Sequence, residues 1–382
     1  MRTLWRAGSF LRLAIVPLVL AGGLTGLAPA ASAASCENWT GVPPPSPGSG
    51  GTVLDGVAMV SACDAWAVGF DFSGGADQTL TEHWNGSAWA VVPSPSPGSS
   101  FNTLTSVRAA SATDVWAVGS FSNGSGDQTL IEHWNGTSWQ QLPSPSPGSS
   151  FSDLRAVRAV SASDAWAVGV YSSGAGNQTL ILHWDGTAWT QIPSPNPAHD
   201  NALTGVAATS AHDAWAVGFT GLLDQTLILH WDGTAWTQVP SPSPGPTNDL
   251  AAVGATSTSN AWAVGFTDNG TADRTLTLRW NGTTWAQVPS PNQGGATTAN
   301  SLTGVAATSA SNAWAVGRSV TGTAHSTLIL YWNGIKWARV PSPAPGSTSD
   351  LLAVAATSAS NAWAVGSFTS TGPSQGLALH CC

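Results

Sequence analysis

Apolar and polar positions along this chain fall into short runs, and the runs recur in a fixed order. Between Leu154 and Ile192 the pattern predicts four strands: Leu154 to Ser161, Ala165 to Gly169, Gln178 to Trp184 and Trp189 to Ile192. Ala162-Ser163-Asp164 is a tight turn between the first two, Asp185-Gly186 is a hairpin-type turn between the last two, and Pro193 to Pro197 leads out. No apolar stripe of helical period occurs. Runs of β-branched and aromatic residues bounded by Gly, Pro, Asn and Ser predict an all-β protein instead.

The same order appears seven times. Ala/Val-Trp-Ala-Val-Gly marks each copy, with its tryptophan at Trp66, Trp116, Trp166, Trp215, Trp262, Trp314 and Trp363, at spacings of 50, 50, 49, 47, 52 and 49 residues. Four strands in about 40 to 50 residues is the length of a propeller blade, a unit that buries both faces only by stacking on its neighbours. The prediction is a seven-bladed β-propeller of four-stranded antiparallel blades, covering about 52–97, 102–147, 152–197, 201–244, 248–291, 300–345 and 350–382 together with 36–45.

The seventh copy stops early. Gly376 to Cys382 overlays Thr179 to Asp185, and nothing follows it in the place of the fourth strand. Cys36 to Pro44 overlays Gly186 to Ser194, with Trp39 on Trp189 and Pro43 on Pro193, so the N-terminal strand is expected to complete blade seven and close the ring. That register sets Cys36 beside Cys381 and Cys382, within disulfide reach of one of them. Cys63, in the first tight turn of blade one, is expected to bridge to the remaining C-terminal cysteine, one of the three pairings that four cysteines allow. A bridge across the ring closes a loop of more than 300 residues and contributes on the order of 5 kcal/mol by chain entropy.

Residues 1–34 read as a secretory signal: Arg2, Arg6 and Arg12, an apolar run from Leu13 onward, then Ala31-Ser32-Ala33 as a small-residue cleavage pattern. The expectation is a secreted single domain over 35–382, with lipid attachment at Cys36 as the alternative fate of the N-terminus. No other segment is long and apolar enough to span a membrane. Removal of the leader takes away three arginines, leaving 8 basic and 20 acidic side chains, a net charge of −12. Such a surface lacks the basic stripe that nucleic acid requires. Only 8% of residues are charged, so stability must come from burial, chiefly of the 20 tryptophans beyond the leader.

The order of a strand ending in glycine, a variable loop, a strand ending in an aromatic residue, a short turn, Trp and a Pro-rich link resembles the kelch repeat. Val68-Gly69, Trp84, Trp89 and Pro93 stand at its glycine, tyrosine, tryptophan and proline positions, although Gly69, Gly119 and Gly169 lack the second glycine of that pattern. The resemblance implies a propeller and allows both oxidases and non-enzymatic binders.

His83, His133, His183 and His230 end third strands, and Asp64, Asp114, Asp164 and Asp213 open the second strands beside them, which predicts a hydrogen-bonded pair that fixes each blade. Their spread around the ring excludes one shared metal ion. The two tyrosines are too few for a tyrosine-rich copper site, and the arginines at 108, 155, 158, 274, 279, 318 and 339 read as scattered over repeat positions. Neither a serine-nucleophile motif nor a phosphate-cradling loop occurs. Variation between copies concentrates in the loops that join strands two and three and in the links between blades, which share one end of the ring. Asp71, Phe72, Phe121, Asn123, Tyr171, Asn177, Asp268 and Asn269 lie there, flat rings beside amides and carboxylates, a combination that suits sugars. The expected function is therefore a secreted, monomeric, non-enzymatic module without cofactors that binds extracellular glycan or cell-envelope polysaccharide. A protein-binding scaffold is the alternative, and a glycoside hydrolase the third reading. The run Asp268 to Asp273 is the one candidate calcium turn.

Overall fold

A computed structural model describes residues 38–73 and 75–382; the expected leader and Cys36 lie outside them. Seven four-stranded antiparallel sheets stand in a ring, and the described residues contain no helix. In blade one strand A is Gly51–Ser61, B is Asp64–Ser73, C is Ala76–Trp84 and D is Trp89–Val91. The A strands of the later blades are Asn102–Ser111, Ser152–Ser161, Asn201–Ser210, Asn248–Ser257, Ala299–Ser309 and Thr348–Ser358. Each A strand touches the next, and the last touches the first, so the A strands enclose a central channel.

Tryptophan cements the blades to one another. Trp66 in strand B of blade one stands edge-on to Trp139 of blade two at 5.2 Å between ring centroids and lies 4.9 Å from Trp134. Trp116, Trp166, Trp215 and Trp262 repeat this contact with the blade that follows them. All seven strand-B tryptophans are at most 1% exposed. At ~25 cal/mol per Å² and ~150 to 250 Å² per ring, each contributes about 4 to 6 kcal/mol of gross burial.

The glycine that ends the pentapeptide has a steric cause. A Cβ at Gly169 would meet the Asp153 carbonyl oxygen at 1.9 Å, and at Gly69, Gly119 and Gly317 the same atom of the paired A strand at 2.0 Å. Strand A is pressed onto strand B at this point, beside a bulge between Leu154 and Ala156 in blade three.

Blade seven is closed by the N-terminal strand. Its A, B and C strands, Thr348–Ser358, Asn361–Thr369 and Gln375–Cys381, are followed across the sheet by Thr40–Gly41. Thr40 pairs with His380 and Gly41 with Leu379, while the Val42 N–H donates to the Ala378 carbonyl at 2.9 Å. Trp39 packs edge-on against Trp314 of blade six at 5.3 Å, the role of the strand-D tryptophan in other blades. The link to blade one is held likewise: Gly376 N–H donates to Ser46 Oγ at 3.1 Å, as Thr79 N–H does to Ser96 Oγ at 3.0 Å in blade one.

The cysteines correct one expectation. Cys381 pairs with Ala362 where Trp184 pairs with Ala165; it is fully buried and is not a free thiol. Its expected partner Cys36 lies outside the described residues. Cys63 and Cys382, however, are free and exposed, so the second bridge does not form. Successive strand residues turn to opposite faces, which leaves Cys382 outside the core that receives Cys381.

Candidate functional site

The two ends of the ring are built differently. On the end of the A–B and C–D turns, local hydrogen bonds set the backbone. Asp185 Oδ1 accepts from Thr187 Oγ1 and from the N–H groups of Thr187 and Ala188 at 2.6 to 3.0 Å, which holds this exposed carboxyl down at about 2. His83 Nε2 lies 2.8 Å from Asp64 Oδ1, His133 2.8 Å from Asp114, His183 3.0 Å from Asp164 and His230 2.7 Å from Asp213. Each of these imidazoles also lies over the strand-B tryptophan of its own blade, with centroids 4.2 to 4.5 Å apart. In blade seven His380 stacks on Trp363 and faces Asn361, and in blade five the Arg279 guanidinium sits 5.3 Å over Trp262. A flat polar group over each tryptophan is a packing device that repeats around the ring.

On the opposite end the B–C loops and D–A links differ from blade to blade. A buried side chain near the start of each A strand anchors the link before it: Asn102 Oδ1 accepts from Gly98 N–H at 2.5 Å, and Ser152 Oγ accepts from Gly148 N–H at 2.9 Å. The Asn102 amide also donates to the Asp77 carbonyl of the preceding blade at 3.0 Å. This framework was not foreseen from sequence, although Asn, Ser or Thr recurs at the position.

The predicted loop residues belong to four blades and do not gather in one cleft. Phe72 is 41% exposed and its ring covers Gly50, where a Cβ would meet it at 1.9 Å. Beside it, the nearly buried Asp71 accepts from Ser73 Oγ at 2.6 Å. Phe121 and Tyr171 are half-buried in the clusters between blades, beside Trp139 and Trp189 respectively. Asn123 Oδ1 is occupied by Ser125, Asn177 N–H donates to Asp200 Oδ1, Asp268 Oδ1 accepts from Gly270 N–H, and Asn269 Oδ1 accepts from Thr271 and Ala272. In the acidic turn 268–273 two side-chain oxygens, Asp268 Oδ1 and Asn269 Oδ1, are thus taken up by the turn's own backbone, and no cluster of three metal-ligating side chains occurs among the described residues.

Two loop-face features were missed. Leu222 and Leu223, 85% and 66% exposed, form the tip of the B–C loop of blade four, before Asp224 in the left-handed region at φ 43°. His325 Nδ1 lies 3.0 Å from both Asp350 carboxylate oxygens, with Arg318 Nη1 at 3.6 Å from one of them. The signals were a Leu-Leu pair in a loop that is elsewhere Gly and Ser, and a histidine outside the strand-end series.

Two A-strand carboxyls are perturbed by burial, and that of Asp55 lines the channel. Asp55, at the bulge of the first A strand, has its carboxyl pushed up to about 7 by burial, and Asp249 is pushed up to about 7 by burial with Asp224 adding repulsion. Between the blades, Glu82 and Glu132 are fully buried, with no partner for either carboxylate oxygen among the described residues.

No family model matches the chain, and no curated protein matches it. Solved structures do. YCF48 bound to D1 peptide is similar at 15% identity over 90% of this chain and 94% of that one, with a TM-score of 0.56. The WD40 β-propeller domain of Doa1 gives 11%, 90%, 97% and 0.53. A polysaccharide lyase, PL25 ulvan lyase bound to -[GlcA(1-4)Rha3S]-, gives 8%, 87%, 95% and 0.51. The likeness is of fold alone. It agrees with a seven-bladed propeller, an architecture suited to binding and scaffolding, and leaves the partner to the residues of this chain.

Proposed function

We propose that the protein is a secreted, non-enzymatic binding ring that engages an extracellular protein segment through its B–C and D–A loop face. The observation that carries this reading is the exposed pair Leu222 and Leu223 at a loop tip. Aliphatic side chains held in water by a short turn gain by burial against an apolar partner, about 1.5 to 3 kcal/mol each if fully covered. Sugar recognition has less support than the composition of the loops promised, because the candidate residues belong to four separate blades and Phe121 packs against the cluster between blades one and two. The similar YCF48 structure holds a peptide, which fits the same reading. Glycan binding stands as the second reading, favoured by one place: the exposed ring of Phe72.

Capture of a partner from culture supernatant by the immobilised ring tests the first reading. Recovery by the native protein and loss with Leu222→Ser/Leu223→Ser supports it, and equal recovery by both refutes it. A glycan array tests the second: binding that Phe72→Ala abolishes supports sugar recognition, and absence of binding removes it.

A further inference from the structure

Arg108 and Arg158 occupy the same place in successive blades. Arg108 pairs across the A–B ladder with Trp116, and Arg158 with Trp166. The five other blades put Ala58, Ala207, Gly254, Ala306 and Ala355 opposite their tryptophans. The arginines are therefore not dispersed over unrelated repeat positions, as the sequence had suggested. They are two neighbours in a ring of seven channel positions, and the other five are small. Together these positions line a cavity of about 180 Å³ within the channel, and Arg108 also lines a second one of about 120 Å³.

Among the described residues neither guanidinium has a partner. Arg155 pairs with Asp153, Arg274 with backbone carbonyls, Arg279 with Asn260 and Arg318 with Asp350, while Arg339 is exposed. Arg108 and Arg158, both partly buried, make no side-chain hydrogen bond or ion pair among the described residues, and Arg158 Nε is buried without an acceptor. Asp55, further up the channel, pairs with neither. Burial, and in Arg108 also the nearby Arg158 charge, lowers the pKa of both. Two like charges line a confined volume whose other walls are apolar, chiefly alanine and valine with Met59 and Gly254, and form a site that lacks a counter-charge.

We propose that Arg108 and Arg158 form a binding site for a small oxyanion, of phosphate, sulfate or carboxylate type, in the central channel. The planar donor forks of two arginines match such an oxyanion, and the small residues of the other five blades leave it room. Each arginine stands three residues before the end of its A strand, about 10 Å of strand from the A–B turns. The anion thus enters from the tight-turn end, opposite the loop face, and the site is independent of the partner proposed there.

Isothermal titration of the native protein with sodium sulfate, sodium phosphate and sodium acetate, each against sodium chloride at matched ionic strength, tests the site. Saturable binding of at least one of the three oxyanions, not reproduced by chloride, is expected. Tighter binding of sulfate and phosphate identifies a tetrahedral ligand, and tighter binding of acetate a carboxylate. Arg108→Ala and Arg158→Ala should each weaken binding tenfold or more, and Arg108→Ala/Arg158→Ala should abolish it. If the alanine variants do not fold, Arg108→Gln and Arg158→Gln, which keep the length and remove the charge, should show the same loss. Absence of saturable heat up to 20 mM of any of the three, on the order of 10⁴-fold above micromolar affinity, would overturn the proposal. Equal binding of chloride, or unchanged binding in the double variant, would overturn it as well.

Discussion

Glu82 offers a direct measure of how this fold treats a buried charge. It lies in strand C at the place taken by Leu182, Leu229, Leu278, Leu330 and Leu379 in blades three to seven, fully buried with neither carboxylate oxygen hydrogen-bonded. Burial pushes its pKa from 4.5 up to about 8. The folded protein therefore keeps the proton up to about pH 8, while the unfolded chain releases it near 4.5. Between those limits the folded state binds more protons, so stability falls as pH rises, by about 1.4 kcal/mol per pH unit. The loss attributable to Glu82 is about 3 kcal/mol at pH 7 and about 5 kcal/mol above pH 8, where it levels off. Glu82→Leu restores the residue that five sister blades carry and removes this loss. Urea denaturation between pH 5 and pH 9 should show the variant more stable by about 3 kcal/mol at pH 7, with a flatter dependence on pH. Glu132, raised well above its usual range in the same way, supplies a second slope that Glu82→Leu/Glu132→Leu should remove. A variant less stable than the native protein at pH 8, or one with an unchanged pH slope, refutes the reasoning.

Other measurements test the ring itself. Gly169→Ala should destabilise by about 3 kcal/mol or more in the same assay, because backbone oxygen meets the new methyl and cannot swing aside. Trp39→Ala should cost about 3 to 5 kcal/mol; a loss below about 1 kcal/mol would show that the N-terminal strand contributes little to blade seven. Alkylation of the folded, unreduced protein should label Cys63 and Cys382 and spare Cys381, and non-reducing peptide mapping should join Cys36 to Cys381; labelling of Cys381 would contradict this pairing. His183→Ala should cost about 1 to 2 kcal/mol by leaving the Asp164 carboxylate short of a donor, with thermal unfolding as the readout.

The architecture was legible because the chain states it seven times, and even the closing strand could be aligned through Trp39 and Pro43. What escaped were features that depend on which way a residue points. Phe121 and Tyr171 carry the composition of a binding loop, yet each stands two residues beyond the strand-B glycine, where the pleat directs the ring inward. Arg108 and Arg158 each precede the strand-B tryptophan by eight residues, a coincidence visible in the sequence once the repeats are aligned on that tryptophan. Their meaning emerged only when the bulged A strands were seen to line a channel. Leu222 and Leu223 belong to one loop of one blade and have no counterpart to compare.

The closure of blade seven imposes an order on assembly. Thr40–Gly41 is synthesised before any other strand of the ring, yet its hydrogen-bonding edge, Gln375–Cys381, is made last. The earliest segment must therefore wait, with Trp39 unpacked, until Gln375–Cys381 has been made, and the gap between the final and first sheets is the last seam to be sealed.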